Sequence, residues 1–286
     1  MPIEMITDDS ETLARAGFRW RERDGVRMLT CTQLERVGFA NGFSTRTGGC
    51  SPAPTAGALN LAGFDEDDAA NIKENRRRFL ALFQGDWRLA TCWQVHGADV
   101  RRIARDTTGA LDTNDKRCDA LTTDAPRVLL GVQTADCVPV LLGDARTGAC
   151  AAVHAGWRGT AAEIVVRALE RMRVDYGTRA EDVRALIGPA ANVCCYEVGS
   201  EVVEIFRARF PYSDEILVPT REGHARIDLQ RANRLQLTGA GVSPERIHTA
   251  PFCTICRDDL FFSYRREKKL YGCTGRLLAV IGRNDE

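Results

Sequence analysis

Two histidines and one cysteine in this sequence occupy positions that suit metal chemistry. His96, Cys137 and His154 each close a short run of apolar residues, and each opens a polar or glycine-containing turn. Functional side chains often lie where a strand gives way to a loop. Two imidazoles and one thiolate can hold a zinc ion whose fourth position stays open, the arrangement that generates a reactive water near neutral pH. The pattern therefore predicts an enzyme with a metal centre.

Taken one at a time, these residues have ordinary structural interpretations. An imidazole such as His96 can be partly buried and hydrogen-bonded to backbone. One cysteine among the eleven in the chain usually packs as a small apolar side chain. The three together are more informative, because all follow strand-like runs and because Asp136, beside Cys137, is costly to bury without partners. Their grouping favours a functional site.

The overall composition narrows the class of protein. The 286 residues are 44% hydrophobic, enough for a substantial core, and 39 basic residues balance 39 acidic ones. Without a surplus of positive charge the chain has no electrostatic preference for nucleic acid or an anionic membrane, so we expect small-molecule partners. No apolar stretch approaches the roughly 20 residues that cross a bilayer, which excludes membrane integration.

The cysteines and the N-terminus indicate a compartment. Eleven is an odd number of cysteines, and Cys92 and Cys150 lie inside apolar runs. Residues 1–15 include acidic side chains and no apolar signal core. We therefore expect reduced thiols and a cytoplasmic location.

The hydrophobic pattern predicts strands and helices in irregular alternation. Residues 18–31 are typical of two strands joined by Asp24-Gly25, which favours a tight hairpin turn at a sheet edge. Helices are expected over residues 67–83 and from a capping box at residues 160–163. The remaining predictions are strands at residues 37–43, 89–96, 128–132, 138–142, 149–154, 183–187 and 277–281, and helices at residues 200–210 and 228–238. We predict a single α+β domain over residues 1–286, with a boundary near residue 180 as the alternative.

A series of short motifs surrounds these residues. They are GFSTRTGG at 42–49, QVHG at 94–97, CDA at 118–120, TADC at 134–137, HAGWRGT at 154–160, IGP at 187–189, CYEVG at 195–199, DL at 228–229, ANR at 232–234, CT at 253–254 and FFSYRR at 261–266. Together they resemble the YfiH-type family, also called the laccase-domain or polyphenol-oxidase family. The resemblance extends from about residue 38 to the C-terminus.

The resemblance implies a single-domain, four-layer α/β/β/α sandwich with mixed sheets. It also implies purine nucleoside phosphorylase chemistry on adenosine, inosine or methylthioadenosine, together with adenosine deaminase activity. The family's zinc ligands correspond to His96, Cys137 and His154, and copper is the alternative metal. The partners would be a purine nucleoside and phosphate, and the protein would be a monomer or a weak homo-oligomer. Residues 267–273 depart from the short Asp-Gly turn usual in the family, which puts substrate contacts near the C-terminus in question.

Each reaction requires further groups. Deamination needs an acid–base group for the departing ammonia, and Asp136 is the candidate from its position, with a structural turn carboxylate as the alternative. Phosphorolysis needs cations that hold an anion near the anomeric carbon while the ribose gains positive charge. Arg46, on the glycine-rich loop, suits that role. The expected catalytic set is therefore Cys137, His96, His154, Asp136 and Arg46.

Two further residues are candidates for substrate binding. Arg158 lies just ahead of the predicted capped helix, where it either helps to bind an anion or pairs with Glu163 on the surface. The resemblance suggests that Asn60 hydrogen-bonds the nucleoside.

Two other enzyme classes are alternatives to the predicted purine nucleoside phosphorylase. A multicopper oxidase needs many more imidazole ligands than the four histidines present, and His224 and His248 lie outside the motifs. A cysteine-type hydrolase that edits peptidoglycan precursors would use Cys137 as the attacking thiolate and His154 or His96 as its base. The sequence leaves this hydrolase open.

A non-catalytic zinc module is a third alternative, suggested by Cys253 and Cys256. A structural zinc site normally needs four protein ligands, often as two such pairs, and the sequence offers no partner pair of this spacing. We therefore expect these two cysteines to be packed thiols. Adjacent Cys194 and Cys195 are expected to pack as well, because neighbouring cysteines form a disulfide only with strain.

Overall fold

The computed structural model describes residues 9–62, 67–108, 111 and 117–284. The helices are α1 Asp9–Ala16, α2 Thr32–Glu35, α3 Ala69–Leu80, α4 Trp157–Ala161, α5 Ile164–Tyr176, α6 Ser200–Arg209, α7 Ser213–Ile216, α8 Leu229–Gly239 and α9 Tyr264–Tyr271, with 3-10 turns at Ala180–Asp182 and Pro244–Arg246. The strands are β1 Phe18–Arg23, β2 Val26–Cys31, β3 Phe39–Ser44, β4 Arg88–Ala90, β5 Val100–Arg102, β6 Ala120–Thr123, β7 Val128–Thr134, β8 Val138–Asp144, β9 Cys150–Ala155, β10 Val183–Ile187, β11 Glu197–Val198, β12 Leu217–Pro219, β13 Ala225–Ile227, β14 Ile247–Thr249 and β15 Leu277–Arg283.

Within those ranges, most strands belong to two mixed six-stranded sheets. The first sheet has the order β1-β2-β3-β15-β7-β4, and the second has the order β14-β10-β8-β9-β6-β5. Most neighbours are antiparallel, whereas β4 with β7, β10 with β14 and β5 with β6 are parallel pairs. A small sheet, β11-β13-β12, lies outside both.

The two sheets pack face to face, and helices cover their outer faces. Between the sheets lies one apolar layer that includes Phe43 and Ile281 from the first sheet and Leu141 and Leu186 from the second. Phe79 of α3 packs on the other face of the first sheet. Helices α5, α6 and α8 cover the other face of the second sheet. The expected four-layer α/β/β/α arrangement is confirmed.

Most of the predicted elements are present. The hairpin β1–β2 lies at the edge of the first sheet, and Asp24 and Gly25 both adopt positive φ angles in its turn. The helix predicted over residues 67–83 spans Ala69–Leu80, with the Asp68 carboxylate accepting a hydrogen bond from the Ala70 amide. A carboxylate at that position satisfies an amide that the helix itself leaves without a partner.

Two local predictions are wrong for identifiable reasons. The strand predicted over residues 89–96 ends at Ala90. Beyond it the chain leaves the sheet, and the amides of residues 95–97 donate hydrogen bonds to the buried carboxylate of Asp119. The capping box at residues 160–163 does not form: Glu163 adopts a left-handed conformation without a capping bond. The Thr160 hydroxyl instead donates to the Ala155 carbonyl and accepts from Asn233, and two helices, α4 and α5, replace one.

The connection between β7 and β8 matters most for the site. Strand β7 belongs to the first sheet and β8 to the second, so residues 135–137 carry the chain from one sheet to the other. Such a crossing interrupts regular pairing, and Asp136 adopts a φ of 91° there. The turn places Cys137 beside the end of β9, the antiparallel neighbour of β8.

In the part of the chain that the structure describes, the helices are too short or too polar to span a membrane.

A glycine substitution tests how closely the sheets approach. A Cβ at Gly188 would overlap the Phe43 ring and lie 2.8 Å from Pro139, whereas a Cβ at Gly239 would meet nothing within 4 Å. Gly188→Ala should lower the free energy of unfolding by about 1–3 kcal/mol, because the inter-sheet core cannot give way without strain. Urea unfolding of this variant, with Gly239→Ala as the control, measures the effect. Equal stability of the two variants would contradict this account of the packing.

Candidate active site

The three predicted ligands meet at one point. His96, Cys137 and His154 each offer one ligand atom, and these three atoms lie within 4.8 Å of one another. The two imidazole rings are perpendicular, with centroids 4.9 Å apart at an interplanar angle of 82°. His154 is buried, Cys137 is half-buried and His96 is exposed, so the cluster opens to solvent on one side. Three donors with one open side are the arrangement expected of a catalytic metal centre.

A buried aspartate positions both histidines. Asp119 is inaccessible to solvent, and its carboxylate accepts hydrogen bonds from the amides of Val95, His96 and Gly97 at 3.2, 2.9 and 2.7 Å. These bonds hold the backbone around the left-handed φ of 57° at His96. The same carboxylate lies 2.8 Å from Nδ1 of His154, which leaves Nε2 of that ring to face the cluster.

The charges in the cluster favour a thiolate. Burial alone would raise the pKa of Cys137, but the facing imidazoles of His154 and His96 lower it to about 6. Burial would lower the pKa of His154, but the Cys137 thiolate and Asp119 raise it to about 9. Burial opposes ionisation of Asp119, yet the His154 contact and the backbone amides hold its pKa below the usual value. Because a metal takes the thiolate and the neutral imidazole, binding would displace the proton from His154.

The space and the donor types fit a zinc ion. A Cβ on Gly156 would lie 3.0 Å from Sγ of Cys137 and 3.3 Å from Cδ2 of His96. Gly156 has an ordinary φ of −67°, so this position requires glycine for its size and not for its conformation. One thiolate and two imidazoles match the ligand preferences of zinc, and the Asp119 contact to His154 is the outer hydrogen bond that such ligands usually make.

The cluster forms part of the wall of an open cavity of 520 Å³. This volume lies within the roughly 300–1,000 Å³ range of small-molecule sites. Three arginines on the wall each stack on an aromatic ring. The pairs are Arg158 on Trp157 at 4.2 Å, Arg265 on Tyr196 at 4.8 Å and Arg276 on Tyr264 at 5.9 Å, measured from the guanidinium carbon to the ring centroid. The cavity therefore combines metal ligands, cations and aromatic faces.

Asp136 lines the cavity, but its carboxylate is occupied. It accepts hydrogen bonds from the Thr254 hydroxyl at 2.7 Å, the Ser263 hydroxyl at 3.0 Å and the Arg265 amide at 2.7 Å. Burial raises the pKa of Asp136, against the effect of these donors. The contacts match the alternative of a structural turn carboxylate, because they tie the crossing between the sheets to the first turn of α9.

The structure does not bring Arg46 to the cavity. Its guanidinium forms an ion pair with Glu267 at 2.7 Å, and the two side chains are only 10% and 2% exposed. It also donates to the Asp258 carbonyl and lies over the Phe262 ring. These contacts hold the glycine-rich loop against α9, so Arg46 does not line the cavity, and its role in holding phosphate stays a prediction.

The other two candidate substrate-binding residues differ in placement. Arg158 reaches the cavity wall, and no ion pair between it and Glu163 is found in the described ranges. Asn60 is buried, and its side-chain oxygen accepts from the amides of Ala62 and Arg276. Asn60 thus positions the backbone of Arg276, which itself lines the cavity.

The segment that departs from the family pattern extends a helix. Residues 267–273 continue α9 to Tyr271, where Gly272 ends it with a φ of 72°. Glu267 in this segment provides the partner of Arg46, and the start of the same helix presents Tyr264 and Arg265 to the cavity. The segment therefore belongs to the same helix as two residues of the cavity wall.

Several residues of the site have no clear signal in the sequence. Asp119 lies in the CDA motif, yet nothing in its local pattern indicates that its carboxylate would accept hydrogen bonds from amides more than twenty residues earlier in the chain. Tyr196, Tyr264 and Arg265 lie within motifs as well, yet their local sequence does not indicate that they meet at one cavity. For Arg276, the sequence offers only its position near residues 267–273, where the chain departs from the family pattern.

Comparison with known proteins supports the fold and shows similarity to enzymes. A family model described as multi-copper polyphenol oxidoreductase laccase matches residues 40–284. The purine nucleoside phosphorylase YlmD of Geobacillus stearothermophilus is 38% identical over 268 residues, covering 90% of this chain and 95% of that protein. An adenosine deaminase from an unknown prokaryotic organism is 34% identical over 247 residues, covering 82% of this chain and 94% of the other. The crystal structure of YlmD from Geobacillus stearothermophilus superposes with a TM-score of 0.84 at 36% identity, covering 94% of this chain and 99% of that one.

Substitution of the positioning aspartate tests the geometry of the cluster. In Asp119→Asn an amide group replaces one acceptor oxygen, so the loop carrying His96 and the orientation of His154 are both disturbed. We expect zinc affinity to fall by about 10–100-fold, as is typical for loss of a hydrogen bond to a metal ligand. Competition with a chromophoric chelator measures the affinity, and Asp99→Asn, at an exposed position of the same segment, is the control. Wild-type affinity in Asp119→Asn would contradict the positioning role.

Proposed function

The chain belongs to the multi-copper polyphenol oxidoreductase laccase family, and we propose that it is a zinc-dependent purine nucleoside phosphorylase that also deaminates adenosine. One observation carries the proposal: the His96–Cys137–His154 cluster shares a cavity with three arginines and three aromatic rings. Relatives named purine nucleoside phosphorylase and adenosine deaminase, each aligned over most of its length, support the same chemistry. The proposed nucleosides are adenosine, inosine and methylthioadenosine.

The aromatic side chains suit a purine base. Tyr196 and Tyr264 present rings to the cavity, each already stacked on an arginine. A flat heteroaromatic base gains from stacking on such rings and from the neighbouring guanidinium planes. Trp157 lies beside the histidine cluster on the first turn of α4. We propose that the base lies among these rings, with its reacting edge toward the cluster.

The arginines suit phosphate. In phosphorolysis a phosphate oxygen bonds to C1′ of the ribose while the bond from C1′ to the purine nitrogen breaks, and the departing base takes up a proton. Arg158 and Arg265 can offer charge-assisted hydrogen bonds to the phosphate oxygens, with Arg276 on the same wall. Their charge also holds the anion near the ribose carbon as positive charge develops there. These residues take the role first predicted for Arg46.

Deamination would use the part of the cavity that the His96–Cys137–His154 cluster lines. Zinc, when bound by the cluster, would supply Lewis-acid activation of water, the nucleophile that replaces the amino group. Asp136 remains a candidate for proton transfer, but its three hydrogen bonds favour a positioning role. It holds the turn that carries Cys137 and the first turn of α9, which carries Arg265. Gln94 and Gln133 secure the loop before His96 by two hydrogen bonds of 2.7 Å.

One observation favours a second function, that of a cysteine-type hydrolase acting on peptidoglycan precursors. The pKa of Cys137 is about 6 and that of His154 about 9, values that describe a thiolate–imidazolium pair. Such a pair is the nucleophile of many thiol hydrolases. In this mechanism the arginines would hold a substrate carboxylate, and no metal would be needed.

The copper-oxidase alternative has less support from the residues. The chain has four histidines, and two of them belong to the cluster. His224 is half-buried and its Nδ1 contacts the Glu222 carbonyl, whereas His248 lies beside Gly17. Because the histidines are dispersed, a single copper ion is the most that the cluster can offer to such chemistry.

Removing the thiolate tests the proposed function. Cys137→Ala should lose one equivalent of zinc per chain and all phosphate-dependent release of base from adenosine, because two imidazoles alone hold zinc weakly. Elemental analysis and chromatography of the products measure both losses. Cys273→Ala, at an exposed position, is the matched control. Full zinc retention in Cys137→Ala would reject the ligand assignment, and iodoacetamide inactivation of a metal-free, active wild type would favour the hydrolase.

A pair of arginine variants separates phosphate binding from structural support. Arg158→Ala should raise the KM for phosphate by about tenfold or more, because a hydrogen bond to a charged group contributes about 1.5–3 kcal/mol. Arg46→Ala should instead lower the free energy of unfolding by about 3–5 kcal/mol, because it leaves Glu267 buried and unpaired. Steady-state kinetics and urea unfolding measure these effects, with exposed Arg207→Ala as the control. A phosphate defect confined to Arg46→Ala would reverse the assignment.

A further inference from the structure

Four cysteines outside the active-site cluster are brought together by two turns. Cys194 and Cys195 lie on the turn that precedes β11, and Cys253 and Cys256 lie on a turn after β14. One sulfur from each of the four lies within 4.8 Å of the others. The expectation that Cys253 and Cys256 have no partner pair is therefore wrong, because the adjacent cysteines provide it from about sixty residues earlier. Packing does not explain the group either, since Cys194, Cys195 and Cys256 are exposed.

The spacing of the sulfurs suits one tetrahedral ion. Sγ of Cys256 lies 3.6 Å from Sγ of Cys194 and 3.2 Å from Sγ of Cys195. Four thiolates at about 2.3 Å from a zinc ion lie about 3.8 Å from one another. The sulfur–sulfur distances here, from 3.2 Å to at most 4.8 Å, include that value. A disulfide would require about 2.05 Å and would leave two thiols unexplained. A cluster of several irons would need a wider cage than these sulfurs enclose.

The backbone around Cys253 is arranged to stabilise a thiolate. The amide of Asn192 donates to Sγ of Cys253 at 3.4 Å, and the amides of Ile255 and Cys256 are directed to the same sulfur. A Cys-x-x-Cys turn whose amides point at the first sulfur is typical of the turns that present two thiolates to zinc. Such amides offset the excess negative charge of four thiolates around a divalent cation.

The cluster lies directly behind the active-site wall. Tyr196, which lines the cavity, follows Cys195, and Thr254, which donates to Asp136, follows Cys253. The Thr254 amide also donates to the Ala190 carbonyl at 3.0 Å, which joins the two segments that carry the cysteines. An ion bound by all four sulfurs would hold Tyr196 and Asp136 in a fixed relation.

We propose that Cys194, Cys195, Cys253 and Cys256 bind a second zinc ion in a closed, four-thiolate structural site. This site differs in chemistry from the first cluster, because four protein ligands leave no open position for water or substrate. Its role is to clamp the two turns that support one side of the cavity.

Metal content tests the proposal on the full chain purified with zinc under reducing conditions. The wild type should hold about two zinc ions per chain, Cys253→Ser/Cys256→Ser about one, and Cys273→Ser, at an exposed cysteine outside both clusters, about two. The double variant should also lower the Tm, and zinc removal should lower that of the wild type. One zinc ion in the wild type that survives the double substitution would overturn the proposal. So would iron in place of zinc, or loss of two free thiols to a disulfide under these conditions.

A second measurement covers the case in which the double variant fails to fold. His96→Ala/Cys137→Ala removes the first cluster and leaves the four cysteines intact, so the remaining zinc reports on the second site alone. X-ray absorption at the zinc edge should then show four sulfur neighbours at about 2.3 Å. Nitrogen or oxygen neighbours, or no bound zinc, would overturn the proposal. Because this variant lacks the first cluster, the result is independent of the proposed catalytic function.

Discussion

A carboxylate removed from water is costly unless its lone pairs are used, and Asp119 meets that condition with three backbone amides and one imidazole. The amides belong to the loop that carries His96, and the imidazole belongs to His154 on β9. One buried side chain therefore fixes the relation between two elements that do not pair directly. The left-handed backbone at His96 is stabilised by the hydrogen bond that its amide donates to the Asp119 carboxylate. The geometry of the ligand cluster follows from that single anchor.

The two-sheet architecture positions the third predicted ligand, Cys137. Where the chain crosses from β7 to β8 it leaves one sheet and enters the other, and the crossing turn is bound through Asp136 to Thr254, Ser263 and the Arg265 amide. Cys137 follows this turn directly. The cavity thus adjoins this crossing, and two helices contribute part of its wall: α4 provides Trp157 and Arg158, and α9 provides Tyr264 and Arg265.

Much of the architecture could be predicted from the sequence, because buried strands and amphipathic helices leave a periodic signal. Strand β10 lies at the predicted residues, and the grouping of His96, Cys137 and His154 followed from residue type and strand-end position. Contacts between distant segments left no such signal. The role of Asp119, the ion pair of Arg46 with Glu267 and the meeting of Cys194 with Cys256 depend on how the layers stack, which no local pattern encodes. A charged residue on a glycine-rich loop looks the same in sequence whether it faces a ligand or a buried glutamate.

The two sulfur-containing clusters differ in the kind of metal site that they suit. The first has three donors and an open side toward arginines and aromatic rings, whereas the second surrounds its centre with four sulfurs. The central claim concerns the first. Its most direct test is an anomalous difference map at the zinc edge from crystals grown with zinc and a nucleoside. The account predicts a peak about 2.0–2.3 Å from the donor atoms of His96, Cys137 and His154, with the nucleoside on its open side. The absence of a peak there, with the three side chains directed apart, would contradict it.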